Sequence, residues 1–399
     1  MEARTARARG MDWHDVPEAV FERMVAVRRD LHRHPELAFE EERTAGRIID
    51  ELKVLGIPCT YGGRGSGVIA CLERDPGGPI VALRADMDAL PGHESTELPF
   101  ASTVEGRMHA CGHDAHVAMV LGAAHLLAAS PPDIGVRFLF QPAEEKGGGA
   151  RTVIAEGGLE GVSAIFAAHV TQHYRVGEIM VAEGVITAQS DRFSIDVHGR
   201  GGHGARPHEA IDAVVIAGLL ITALQTLVSR EVDPLHPSVV TIGSVHAGTA
   251  PNVIAETARL EGSIRTTLPE VREHLHQGIR RMARAFGELH NARLEVRIDP
   301  GYPPVVNTPR ESRLAWRAAA AVVGEGGMVR QEHPSLGGED FSYYLEKVPG
   351  CYLRLGARGE GREFVPLHSP AFDIDEGVLR VGAACFDQLV RDAEALYRP

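Results

Sequence analysis

Apolar runs that end abruptly in acids and histidines constrain the fold of this chain more than any other feature. Pro79 to Leu83 runs straight into RADMDALP, Val136 to Phe140 ends in QPAEE, and Ala164 to Val170 carries His169 near its end. Short apolar runs bounded by such signals read as core strands, and Gly67 to Leu72 is a further one. Helix-like stretches lie between them. Val16, Val20, Met24, Val27 and Leu31 recur at helical spacing before Pro35, Glu40 to Leu55 is closed by Gly56, and Val117 to Ala128 precedes Pro131 and Pro132. Strands alternating with helices, with polar residues at the strand ends, predict an α/β sheet. In such sheets ligands gather at the carboxyl edge.

The pattern changes near residue 187. Phe193, Ile195 and Val197 alternate with polar residues, as do Leu260, Gly262 and Ile264, which predicts half-buried antiparallel strands. Long helices fit Glu209 to Ser229 and Pro269 to about Leu289, and the runs VVTIGSV and LEVRI read as strands. After Tyr302 the first pattern returns and closes with a helix from Asp375 to Leu396. The expected architecture is therefore a two-domain α/β chain. A sheet domain (12–186 and 302–399) is interrupted by a smaller one (187–301) of antiparallel sheet plus two helices. Two sequential domains are the alternative.

Composition narrows the partners. There are 54 acidic and 41 basic side chains, a net charge of −13, which argues against nucleic acid or an anionic membrane as the main partner. The longest apolar run, Ala213 to Leu224, is too short to span a bilayer, and no apolar segment follows the MEARTARARG start, which reads as a loose extension. Five cysteines without a CxxC pair suit a reducing, cytoplasmic setting, where a special cysteine serves as ligand or nucleophile.

The chemistry-bearing residues fall in five places. MHACGHDAH packs His109, Cys111, His113, Asp114 and His116 into nine positions; Cys111 and His113, at i and i+2, share one side of an extended segment. Glu144 and Glu145 follow a strand, where adjacent acids point in opposite directions: one to bind a metal, the other to face water or substrate as a general base. Asp86 and Asp88 stand at i, i+2 after a strand, as direct ligands or as groups that orient a ligating histidine. His169 and His368 complete the set. Thiolate, imidazole and carboxylate together suit Zn²⁺ or a similar divalent ion. GxSxG is absent, with GRGSGV around Ser66 the nearest run, and GRGGHGARP lacks the spacing of a phosphate-binding loop.

ADMDALP, MHACGHDAH, PAEEKGGGA, GRGGHGARPH, TAPNVI, GSIRT, GGEDFSYY and LHSPAFDIDE occur in this order. In these motifs the chain resembles the amidohydrolase branch of metallopeptidase family twenty, from about Val27 to Leu396. The resemblance implies a catalytic α/β domain bearing a satellite domain that mediates dimerisation, giving a homodimer or homotetramer. It implies two divalent ions per subunit (zinc foremost, with manganese, cobalt or nickel as alternatives) held by Cys111, His113, Glu145, His169 and His368. Glu144 is then the general base and Asp88 an orienting residue. His203 steadies the oxyanion, in cis or from a neighbouring subunit, while Asn252 and Arg265 bind substrate, Arg265 through its carboxylate. The implied reaction is hydrolysis of a small N-acyl amino acid to a carboxylate and a free amino acid. A dipeptidase or carboxypeptidase on the same two-metal site is the alternative. One departure is visible: after His169 the run is HVTQHYRVG, where many relatives place an aromatic or proline, and this alters the wall of the acyl pocket.

Overall fold

The structure is a computed structural model describing residues 11–72 and 77–398; the MEARTARARG extension lies outside the described residues. In chain order the main strands are β1 (Cys59–Tyr61), β2 (Val68–Leu72), β3 (Ile80–Asp86), β4 (Gly135–Gln141), β5 (Val162–Arg175), β6 (Ile179–Met180) and β7 (Gln189–His198). They continue as β8 (Gly202–His203), β9 (Ser238–Ala247), β10 (Val253–Ile254), β11 (Thr257–Thr266), β12 (Arg293–Pro300), β13 (Met328–Val329) and β14 (Gly350–Arg358). The main helices are α1 (Glu18–Arg33), α2 (Glu42–Val54), α3 (His113–Ala129) and α4 (Gly149–Ala155), then α5 (Ala213–Glu231), α6 (Pro269–His290), α7 (Pro309–Val323) and α8 (Gly377–Tyr397). The chain divides into two compact units. One holds the chain up to Ile186, Val306–Glu332 and the part from Asp340 onward; the other holds Thr187–Val305 with His333–Glu339.

The first unit is built on an eight-stranded mixed sheet in the order β1-β2-β4-β3-β5-β14-β6-β13. Its centre is parallel: β3 pairs with β4 and β5, and β5 with β14. Crossover helices cover such a centre, so its strands carry near-continuous apolar runs, and all but the first residue of β3 is buried. Helix α3 is buried almost all round and starts at His113 rather than at Val117. A helix apolar on every side shows no stripe, so its polar first turn was indistinguishable from a loop. β5 overruns its neighbour. The β3 pairing ends at Arg84 opposite Ala167, which leaves His169 beyond β3, paired only on its other side, to Arg354 of β14.

The second unit is a four-stranded antiparallel sheet, β9-β11-β7-β12, with α5 and α6 packed on it. Phe193, Ile195, Val197, Leu260 and Ile264 point into its core, as their alternation predicts. Helix α5 runs to Glu231, well past the apolar run read from the sequence, and is long and apolar enough to cross a membrane by length and composition alone. Its Ala213, Ile216, Leu220, Leu224 and Leu227 are buried with Leu275 and Ile279 of α6. Each such Leu or Ile contributes roughly 1.5–3 kcal/mol on burial. Val214, Val215 and Leu219 of the same helix stay exposed.

Candidate metal centre

Cys111 and His113 do not sit on an extended segment. Gly112 between them adopts φ +84°, and a Cβ there would lie 2.4 Å from Val170 Cγ2. Only glycine accepts both demands. The turn it makes ends at the first residue of α3, so both side chains face His169: Cys111 Sγ is 3.4 Å from His169 Nε2.

The two acids stand in a turn after β4, not on the strand itself. Ala143 has φ +52°, and Gly149, whose Cβ would lie 1.7 Å from the Pro142 carbonyl oxygen, closes the turn by donating to Ala143 O. In this conformation the backbone N–H groups of Glu144 and Glu145 donate to Asp88 Oδ1 and Oδ2 at 3.1 and 3.0 Å. Glu41, buried on α2's entry, accepts from Ala143 N at 2.8 Å. Adjacent acids therefore converge rather than diverge: a carboxylate oxygen of each comes within 4.8 Å of a His113 ring nitrogen.

Ring partners assign the histidines. His113 donates through Nδ1 to Asp88 O at 2.8 Å and His169 through Nδ1 to Val170 O at 2.7 Å, leaving the Nε2 lone pair of each for a ligand. His116 differs. Its Nδ1 meets Asp86 Oδ1 at 2.6 Å and its Nε2 accepts from Val170 N at 3.0 Å, so neither nitrogen is spare. Asp86 is also taken up by Arg84 at 2.6 Å. Of the two aspartates, Asp88 is thus the one that clasps the Glu turn and His113, while Asp86 fixes His116 behind them.

His368 lies on a segment with φ +66° and sets its Nε2 3.2 Å from Glu145 Oε1. Among the described residues, the trios whose donor atoms lie within 4.8 Å of one another include Cys111–His113–His169, Cys111–Glu145–His368 and His113–Glu144–Glu145, with Asp86–His113–His116 and Glu144–Glu339–Asp340 beside them. His113 Nε2 is buried without a hydrogen-bond partner. Burial, then the Glu145 and Glu144 carboxylates, push the Cys111 thiol up. A divalent cation would invert that field, satisfy the orphaned nitrogen and hold a thiolate. The donor set, one sulfur with imidazoles and carboxylates, fits such an ion.

His203, Asn252 and Arg265 belong to the second unit. His203 pairs with Val253 across the β8–β10 ribbon, and Gly204 N donates to Asn252 O at 2.9 Å, which makes His203 and Asn252 neighbours. Arg265, on β11, is half-buried, and its side chain makes no hydrogen bond or ion pair among the described residues. Burial, then Arg192, pull its pKa down.

Sequence reasoning missed a buried polar network behind Asp114. His32 Nδ1 lies 2.8 Å from Asp114 Oδ2 and its Nε2 lies 3.1 Å from Glu94 Oε1. Burial opposes a charge on His32, but Asp114 and Glu94 outweigh it and lift the ring to about 9. The folded pKa thus exceeds the unfolded value of about 6.5. Stabilisation is complete below pH 6.5 and is lost as pH rises through about 9, on the order of 3 kcal/mol in all. Urea denaturation should show stability falling between pH 7 and pH 10, and His32→Gln should flatten that fall. An identical slope in the variant would remove His32 from the account.

A model of peptidase family M20/M25/M40 matches residues 82–392. N-acetylcysteine deacetylase of Bacillus subtilis is 41% identical over 379 residues, 93% of this chain and 97% of that protein. Thermostable carboxypeptidase 1 of Saccharolobus solfataricus is 39% identical over 90% of this chain and 92% of its own. The crystal structure of a Bacillus subtilis dinuclear metal-binding peptidase matches with a TM-score of 0.80 and 39% identity, covering 96% of this chain and 99% of that one.

Proposed function

The chain belongs to peptidase family M20/M25/M40, and from that premise we propose a metal-dependent amidohydrolase that cleaves N-acyl amino acids into a carboxylate and a free amino acid. The observation that carries the reading is the convergence of Cys111, His113, Glu145, His169 and His368, with Glu144 beside them, on one cluster that is buried or half-buried except at His368. In this reading those five residues hold two divalent ions, zinc first by the softness of the sulfur donor, with manganese, cobalt or nickel as substitutes. When bound, the ions supply Lewis-acid polarisation of the scissile carbonyl and acidify a water.

The chain's own residues do the rest. Glu144 takes the proton of the attacking water and delivers it to the leaving nitrogen. Its backbone N–H is fixed by Asp88, and this fixes where the carboxylate starts from. Asp88 holds Glu145 and His113 as well, a single orienting group behind three functional side chains. His203 donates to the developing oxyanion, from its own subunit or from a neighbouring one. Arg265, half-buried and without an ion-pair partner among the described residues, takes the free carboxylate in the bidentate manner suited to guanidinium, and Asn252 binds alongside. With a net charge of −13, capture of an anionic substrate depends on such local cations. Association into a homodimer or homotetramer fits the exposed Val214, Val215 and Leu219 of α5. All five cysteines are free thiols, in keeping with the cytoplasmic location we propose.

The test is a screen of the metal-loaded enzyme on N-acetyl, N-benzoyl and longer N-acyl amino acids against dipeptides. Acyl amino acids should lead in kcat/KM by about tenfold or more. A lead by dipeptides or by C-terminally trimmed peptides would move the assignment to a dipeptidase or carboxypeptidase on the same site.

A further inference from the structure

Buried arginines are rare unless paired, and Arg28 on α1 is 1% exposed. Its guanidinium spans three carboxylates: Nε donates to Asp114 Oδ2 at 3.0 Å, Nη2 to Asp373 Oδ1 at 3.0 Å and Nη1 to Glu376 Oε1 at 3.1 Å. Asp114 is the residue after His113. Asp373 and Glu376 end the segment that begins at His368. One planar group therefore ties the two stretches of chain that bring His113 and His368 to the cluster.

The His368 segment has other anchors: Phe372 and Ile374 are buried in the core of the first unit, and Asp375 N donates to Ala357 O at 2.9 Å. The side chain of His368 is 54% exposed, its backbone N–H donates to Ala110 O at 2.8 Å, and Pro370 O accepts from Ser95 N at 2.8 Å. Ser95 follows Glu94, which His32 holds from α1. Asp373 also pairs with Arg362 at 2.9 Å, its carbonyl accepts from Gln172, and Glu376 pairs with Arg29 at 2.6 Å. The Phe100 ring lies against both Arg28 and Arg29, 4.9 and 4.8 Å from their guanidinium carbons. Among these ties, Arg28 alone touches carboxylates on both stretches.

We propose that Arg28 is a positioning residue that sets the His368 segment against the His113 end of α3 and so determines occupancy of the metal position served by Glu145 and His368. This rests on the reading that the five donors hold two ions. A lysine in its place carries its three donors on a single nitrogen instead of a rigid fork spread over three nitrogens, and so cannot span the three carboxylates as Arg28 does. Groups that orient ligands in this indirect way typically control metal affinity by about 10–100-fold.

The experiment uses the full-length chain with Arg28→Lys, Asp373→Asn and, as reference, His368→Ala. Bound metal is measured by elemental analysis and by titration, and folding by circular dichroism and thermal melting. The wild type should bind two ions. Arg28→Lys and Asp373→Asn should each keep one ion at wild-type affinity and hold the second about 10–100-fold more weakly, as His368→Ala does. Two ions retained at full affinity would overturn the proposal, and so would equal loss of both from a folded variant, since Arg28 would then act on the whole centre through Asp114. Where Arg28→Lys fails to fold, Asp373→Asn decides, because it touches only the His368 side. A wild type that does not bind two ions overturns the two-metal reading itself, and this inference with it.

Discussion

Glu144→Gln should bind both ions as the wild type does and lose about 10²–10⁴-fold in kcat, the range expected when a positioned general base is removed. The substitution is nearly isosteric. It leaves the N–H of residue 144 on Asp88 Oδ1 and leaves Glu145 on Asp88 Oδ2, so the turn keeps its shape. What changes is that an amide cannot take a proton. Steady-state kinetics paired with metal analysis separates the two roles of the acid pair. Full activity would shift the base elsewhere, and a loss of metal would show that Glu144 is itself a ligand, as its proximity to His113 and Glu145 permits.

Removing the ions should have an effect at least as large. A bound divalent ion contributes several kcal/mol to stabilising charge in the transition state, and each 1.36 kcal/mol is tenfold in rate. Chelation followed by desalting should therefore depress hydrolysis by roughly 10³-fold or more, and added zinc, manganese or cobalt should restore it. The fold should survive, because the core of the first unit is an apolar cluster running from Val16 to Ala393 that contains none of the five donors. Circular dichroism on the stripped protein checks this. An enzyme indifferent to chelation would rule out the metal mechanism.

Much of the first unit was legible because buried parallel strands announce themselves as apolar runs, and polar residues at their ends mark the edge where ligands collect. That logic marked Asp86, Asp88, Glu144, Glu145 and His169 as candidates after β3, after β4 and along β5, the resemblance chose among them, and the structure brings Glu144, Glu145 and His169 together with Cys111, His113 and His368. Backbone detail was not legible. Reading Cys111 and His113 as an extended pair ignored the left-handed conformation of Gly112, and reading the two glutamates as divergent ignored the positive φ of Ala143. Neither leaves a hydrophobic period. The Arg28–Asp114 and Arg28–Asp373 pairs join residues 86 and 345 positions apart. No local pattern encodes such distances, and a lone arginine on an amphipathic helix ordinarily faces water. His333–Glu339 likewise groups with the second unit although the surrounding chain belongs to the first, a tertiary choice that composition does not record.

The interruption of the first unit by the second also sets an order of events at birth. A ribosome delivers Cys111, His113, Glu145 and His169 before residue 187, then the whole inserted unit, and only then His368, about 200 residues after His169. At ~5–20 residues per second that is a delay of roughly 10–40 s. During it the nascent chain has four of the five proposed donors and lacks the segment that Arg28 ties to α3. On the proposed ligand set the centre cannot form before His368 is made, so a product truncated or stalled upstream of it lacks a complete centre.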